Sequence, residues 1–206
     1  MFWTNDLPYG SPTHTETPYA FKAYALAAAF RAGFAPVLWC DAAVWVVRSL
    51  DPVWERLRDT GAYLVAGGWN TGEWCADQAL GPLGLTRDES FAIPHLTACI
   101  MGLDPDHAVA GPVWRDYFAH AQSGVAFRGP WTNSLNEASR DSRVRGHRHD
   151  QTVLSVLSHR AGLPWITEPA AYPLVYHRDG QPPLPRPVVF CSRGGSCVDW
   201  PTTLED

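Results

Sequence analysis

YAFKAYALAAAFRAGFAPVLWCDAAVWVV, residues 19–47, decides how this chain is read. Residues 19–32 set Phe21, Tyr24, Ala25, Ala28 and Ala29 at helical spacing, and Gly33 ends the pattern. Residues 36–40 are a short, continuously apolar run, as a strand buried on both faces requires. Val44 to Val47 is a second such run. A helix feeding a buried strand predicts an α/β fold. Asp41 then stands directly after the strand, where open α/β sheets carry their ligands.

The same alternation continues outward. Asp51 and Pro52 open a helix through Trp54 and Leu57. Residues 63–67 suit a strand, and residues 71–80 a short helix. Thr86-Arg87-Asp88-Glu89 has capping-box spacing. Residues 96–103 read as a strand. Residues 112–122 read as a helix with Val113, Trp114, Tyr117, Phe118 and Ala121 on one face. A further helix spans 151–160, started by Asp150 and ended near Gly162. Strands alternating with helices predict one α/β domain over residues 1–180, its sheet mainly parallel and flanked by helices. Prolines from Pro182 to Pro187 predict that residues 181–206 form an extended tail on that domain.

Composition narrows the class. The chain has 206 residues, 46% hydrophobic and 18% charged, which excludes a wholly disordered or collagen-like chain. No apolar run approaches the length that crosses a bilayer. The opening MFWTNDLPYG lacks a basic stretch followed by an apolar one, so no secretory leader is expected. The net charge is −5 and the pI about 5.9, which gives no overall basic footprint for nucleic acid. Lys22 is the only lysine. The five cysteines lie scattered, without zinc spacing, and read as reduced thiols of a cytoplasmic protein. Ten tryptophans offer flat faces of the kind carbohydrate and nucleotide sites use, although packing also employs them.

Four segments carry candidate chemistry. In VLWCDAAVWVV, residues 37–47, Asp41 is placed to hold a cation or simply to cap a turn. In RVRGHRHDQTVLSVLSHRAGL, residues 143–163, arginines lead into His149-Asp150-Gln151 at a helix start, an arrangement suited to an anionic ligand. His147 and His149 are spaced like metal ligands, but Thr152 stands where a metallohydrolase signature needs another His. In YPLVYHRDG, residues 172–180, a strand ends at His177 ahead of Gly180. In GGWNTGEWCADQAL, residues 67–80, Trp74 and Asp77 sit in a glycine-rich turn that either approaches a ligand or needs positive φ.

Taken in order, these segments resemble the nucleotide-sugar glycosyltransferases of the GT-A type. They are distantly similar to the glycogenin-like retaining group and closer to a bacterial and phage branch with PYAFK, LWCDA and GHRHDQ-like segments. The resemblance implies a Rossmann-like GT-A domain whose first unit is shortened here. It matches Lys22 to the family's helix-borne cation, Asp41 to the start of its DxD motif, Asp150-Gln151 to the pair flanking the transferred sugar, and His177 to its last metal ligand. The motif reads Asp41-Ala42-Ala43, so the second carboxylate is absent.

The implied activity moves a sugar from a nucleotide-diphosphate donor to a glycan or a modified DNA base, with retention. Asp41 and His177 would hold Mn2+ or Mg2+ against the diphosphate. Lys22, Arg145 and Arg148 would support the same phosphates. Asp150 and Gln151 would face the sugar, with His149 as a phosphate ligand or base, while Trp74 and Asp77 shape the pocket. Two other classes compete: a metal-dependent hydrolase of phosphoesters or sugar nucleotides around His147, His149, Asp150 and His177, and a non-catalytic carbohydrate-binding module.

Overall fold

The computed structural model describes residues 6–167, 173–177 and 189–193. Helix α1 (Ala20–Arg31) leads into strand β1 (Val37–Cys40) and strand β2 (Val44–Val46). Helix α2 (Asp51–Thr60) precedes the long strand β3 (Ala62–Asn70). A 3-10 turn (Thr71–Trp74) and two short helices, α3 (Asp77–Leu80) and α4 (Arg87–Ala92), connect it to β4 (Pro94–Leu103). Helices α5 (Ala110–Ser123) and α6 (His149–Arg160) follow, then β5 (Leu174–His177) and β6 (Phe190–Arg193). Mixed α/β architecture is therefore observed. No helix among the described residues is long and apolar enough to cross a membrane.

The direction of the strands differs from expectation. The main sheet has the order β1-β4-β3, and both of its pairings are antiparallel. The second sheet has the order β2-β6-β5, with β5 and β6 parallel. One further parallel bridge joins Val65 to Ile166. The mainly parallel sheet expected from the apolar runs is thus absent among the described strands. Residues 37–40 are apolar throughout yet only half buried, because β1 lies at an edge of its sheet.

Alternation along β3 separates the two clusters that its faces pack against. Leu64 faces a cluster with Leu26 of α1, Tyr117 of α5 and Leu154 of α6. Its neighbours Tyr63 and Val65 face Val53 and Leu57 of α2, together with Leu174 and Phe190 of the second sheet. The sheet is covered on both sides, and each fully buried Leu or Phe stabilises it by roughly 1.5–3 kcal/mol.

Local signals were followed unevenly. Thr86 caps α4 with a complete capping box, its side chain accepting from Glu89 N. Residues 71–80 split at Cys75 and Ala76 into a 3-10 turn and α3. Asp51 is the first residue of α2 and makes no side-chain cap; its N–H donates to Ser49 Oγ at 3.1 Å. On α1 the buried face is Ala20, Ala23, Leu26 and Ala27 rather than the Phe21–Tyr24 stripe. Phe21 and Tyr24 lie at its margin against Trp39 and Phe118, with ring centroids 6.1 and 5.1 Å apart. Part of the Pro-rich tail, β6, is a strand of the second sheet; Pro182 to Pro187 lie outside the described residues.

Candidate functional site

Rotation of α1 places Lys22 on its buried side, only 2% exposed. A lone buried ammonium requires partners, and three protein oxygens supply them. Lys22 Nζ lies 2.9 Å from Asp41 Oδ1 and 3.1 Å from Asp150 Oδ2, and donates to Ala98 O at 3.0 Å. The rings of Tyr19 and Trp39 add cation–π contacts at 5.1 and 5.7 Å. Burial would lower the Lys22 pKa, but the charges of Asp150 and Asp41 more than offset it and the net shift is upward. Lys22 is charged at neutral pH.

Asp41 is held by the strand end that positions it. Its N–H donates to Cys99 O at 2.8 Å, and its Oδ1 accepts from Trp39 Nε1 at 2.6 Å. Its side chain is 34% exposed, toward the cavity described below. Asp150 is the second residue of α6 and is buried. It does not cap that helix. Its Oδ2 is buried and pairs with the Lys22 ammonium at 3.1 Å. Burial raises its pKa despite the nearby ammonium. Helix α6 is itself pinned from the side: Thr152 Oγ1 donates to Trp74 O at 2.6 Å, and Leu96 N donates to Ser155 Oγ at 3.0 Å.

Lys22, Asp41, Asp150, Gln151 and Arg148 line one cavity of about 250 Å³, with Tyr19 and Trp131. The sequence pointed to the first five. Arg148 lies flat between two indoles, its guanidinium carbon 3.7 Å from the Trp74 ring centroid and 3.8 Å from that of Trp131. Its Nη1 donates to Trp131 O at 2.9 Å. No carboxylate among the described residues pairs with it. Trp74 thus supports Arg148 from behind and does not line the cavity.

Tyr19 and Trp131 were not singled out by motif. Tyr19 adopts the left-handed region, with φ 62°, at the start of α1. That turn lays its ring over Lys22 and against Trp131 and His149, with centroids 6.1 and 5.5 Å away. The PYAFK segment contained Tyr19, but nothing in its spacing marked a positive φ.

Three candidates stand apart from the cavity. Asp77 is 58% exposed and pairs with Arg87 at 2.5 Å, so it does not shape the pocket. Arg145 is 57% exposed and pairs with Glu73 at 3.1 Å, so it is not a wall of the cavity. His149 lies behind the wall, where its Nδ1 donates to Phe127 O at 2.8 Å and its ring stacks on Tyr19 and Trp131. Burial pushes its pKa down to about 4. His147 is also structural: Ala76 N donates to its Nδ1 at 3.2 Å, and its Nε2 contacts Ala126 O at 3.0 Å. Both ring nitrogens being engaged, His147 has none to offer a metal, and burial drives its pKa down to about 3.

His177 ends β5, and its side chain lies outside what is described. Its backbone pairs with Arg193, one step beyond the row of Tyr176, Ser192 and Val44. Register therefore sets His177 at the end of the second sheet from which Asp41 enters. No group of three or more His, Cys, Asp or Glu stands at metal spacing among the described residues. The two cavity carboxylates already enclose an ammonium. Among the described residues, these carboxylates do not fit a divalent cation.

Comparison of the chain with protein-family models, with curated proteins and with solved structures finds no match in any of the three.

Proposed function

We propose that the chain is a glycosyltransferase whose cavity takes the sugar and diphosphate of a nucleotide-sugar donor. The GT-A relationship is part of this proposal and rests on the order of the sequence motifs. One observation carries the reading. Asp150, whose carboxylate is paired with Lys22 at 3.1 Å, and Arg148, whose guanidinium pairs with no carboxylate among the described residues, line the same cavity. The first can accept from a ligand hydroxyl and the second can receive a ligand anion. A sugar phosphate presents both.

The size of the cavity orients the donor. About 250 Å³ falls just below the usual range of small-molecule pockets, which begins near ~300 Å³. It suits a sugar ring and adjoining phosphate rather than a whole nucleotide. The nucleoside would then extend outward over Trp131, which is 49% exposed. Asp150 accepts from a sugar hydroxyl, and Gln151 stands beside the anomeric carbon. The acceptor hydroxyl oxygen bonds to that carbon as its bond to the phosphate oxygen breaks. The departing nucleoside diphosphate keeps the electron pair, and the acceptor proton leaves with it or passes to solvent. Retention belongs to the resemblance. So does Mn2+ or Mg2+ at Asp41 and His177; with the donor set as found, no step here is routed through a metal.

The hydrolase reading loses its centre, since the backbone occupies both nitrogens of His147. A DNA acceptor is weakly supported, because Arg143 and Arg145 are neutralised by Asp141, Asp88 and Glu73. A plain carbohydrate-binding module draws on one observation: Trp69 and Trp131 are each about half exposed, at 51% and 49%. Calorimetric titration with a panel of nucleoside diphosphates and sugar nucleotides separates the two. The proposal expects one nucleotide series to bind, and Asp150→Asn to weaken the sugar nucleotide while sparing the free diphosphate. Binding of free glycans with no nucleotide binding would establish the module instead.

A further inference from the structure

We infer that Arg148, held between Trp74 and Trp131, is the cation that receives the ligand's phosphates, and that this site works without a divalent metal. The inference deepens the proposal above and rests on it for the identity of the ligand.

Three cations could neutralise a diphosphate in this cavity, and geometry removes two of them. A metal ion on this wall would draw on the carboxylates of Asp41 and Asp150. Asp41 Oδ1 already meets Lys22 Nζ at 2.9 Å and Trp39 Nε1 at 2.6 Å, and Asp150 Oδ2 meets the same ammonium at 3.1 Å. Placing a divalent cation there means expelling or crowding a buried ammonium, with like charges a few ångströms apart. Lys22 is itself committed, since its ammonium is enclosed by Asp41, Asp150 and Ala98 O. It holds the two carboxylates together and has no direction left for a phosphate.

Arg148 is the third. Its guanidinium has five N–H groups, of which one bonds Trp131 O. The planar fork matches two phosphate oxygens at once. The indole faces at 3.7 and 3.8 Å fix its plane before any ligand arrives, so little side-chain entropy remains to be lost on binding. Arginine is also less strongly hydrated than an ammonium, which suits a half-buried wall. When the sugar–phosphate bond breaks, charge grows on the phosphate oxygen, and a prepositioned guanidinium stabilises it without reorganisation.

The test uses inorganic pyrophosphate, then the sugar-nucleotide panel, titrated calorimetrically in EDTA and again with manganese. The protein variants are wild type, Arg148→Met and Arg148→Lys, each checked for folding by circular dichroism. Wild type should bind pyrophosphate in EDTA, with manganese leaving Kd unchanged. Arg148→Met should weaken Kd roughly ten- to hundredfold, the loss of one charged contact. Arg148→Lys, which keeps the charge but loses the fork, should weaken it less. Binding that requires manganese, binding unaffected by Arg148→Met, or no pyrophosphate binding at all would overturn the inference. Manganese-dependent nucleotide binding would do so while leaving the transferase proposal standing. Metal-free pyrophosphate binding with no nucleotide binding would sustain the Arg148 site and remove the transferase.

Discussion

Lys22 on α1 and Asp150 on α6 meet inside the protein, ammonium to carboxylate at 3.1 Å, with both side chains almost fully buried. That pair joins α1 to α6. It also draws in Asp41 from the end of β1, so three elements converge on one ammonium.

Removing one member of such a group leaves an uncompensated buried charge. Lys22→Met should therefore lower unfolding free energy by about 3–5 kcal/mol in urea titrations. Adding Asp150→Asn to it should recover part of that loss, because one stranded carboxylate is then neutral. A loss below about 1 kcal/mol for Lys22→Met, the range of surface pairs, would contradict the burial of this group.

Gly146 lets the arginine clamp form. It lies at φ 159°, and a Cβ there would collide with the Trp131 carbonyl. His147 N, the next donor along, bonds Pro130 O at 2.9 Å, so the two segments are in direct backbone contact. Gly146→Ala should displace the Trp131 loop, destabilise the fold by about 1–3 kcal/mol, and weaken pyrophosphate binding through the loosened indole. Unchanged stability together with unchanged binding would show that the loop is not held there.

Three buried histidines predict acid sensitivity. Burial pushes the pKa of His95 and His147 down to about 3 and that of His149 to about 4, from an ordinary value of 6.5. They are neutral when folded, whereas the unfolded chain takes up their protons below pH 6.5. Their contribution to stability is therefore complete above that pH and is lost as pH falls toward 4 and then 3. At pH 5 each one favours unfolding by about 2 kcal/mol relative to neutral pH, a large share of a typical total. The urea midpoint should fall steeply between pH 7 and pH 5. Equal midpoints at the two values would contradict the buried, neutral state.

The capping box at Thr86 is independent of the site. Thr86→Ala removes the acceptor for Glu89 N and should cost about 1 kcal/mol without altering ligand binding. A change in pyrophosphate affinity would show that α4 is coupled to the cavity.

Much of the site was legible because chemistry-bearing residues stand at the ends of regular elements. Asp41 follows an apolar run and Asp150-Gln151 open a helix, and both positions came together at Lys22. Trp74 and Asp77 misled because a Gly- and Trp-rich turn reads alike whether it lines a pocket or supports one from behind. Arg145 misled because a run of arginines does not reveal that Glu73 lies opposite one of them. Strand direction escaped for a simpler reason: four apolar residues look the same in a buried parallel strand and in an antiparallel edge strand covered by α1. The buried face of α1 escaped because its alanines fit either stripe, and the ion pairs of Lys22 decided between them.

In the proposed reaction, the cavity between Asp150 and Arg148 cleaves a sugar from a nucleoside diphosphate. The direct measurement is release of nucleoside diphosphate from a panel of sugar nucleotides, by wild type and Asp150→Asn, with water as the fallback acceptor. The account predicts slow release from one donor series by wild type and a loss of about a hundredfold or more in the variant. No release above buffer from any donor, or equal release by both proteins, would contradict it.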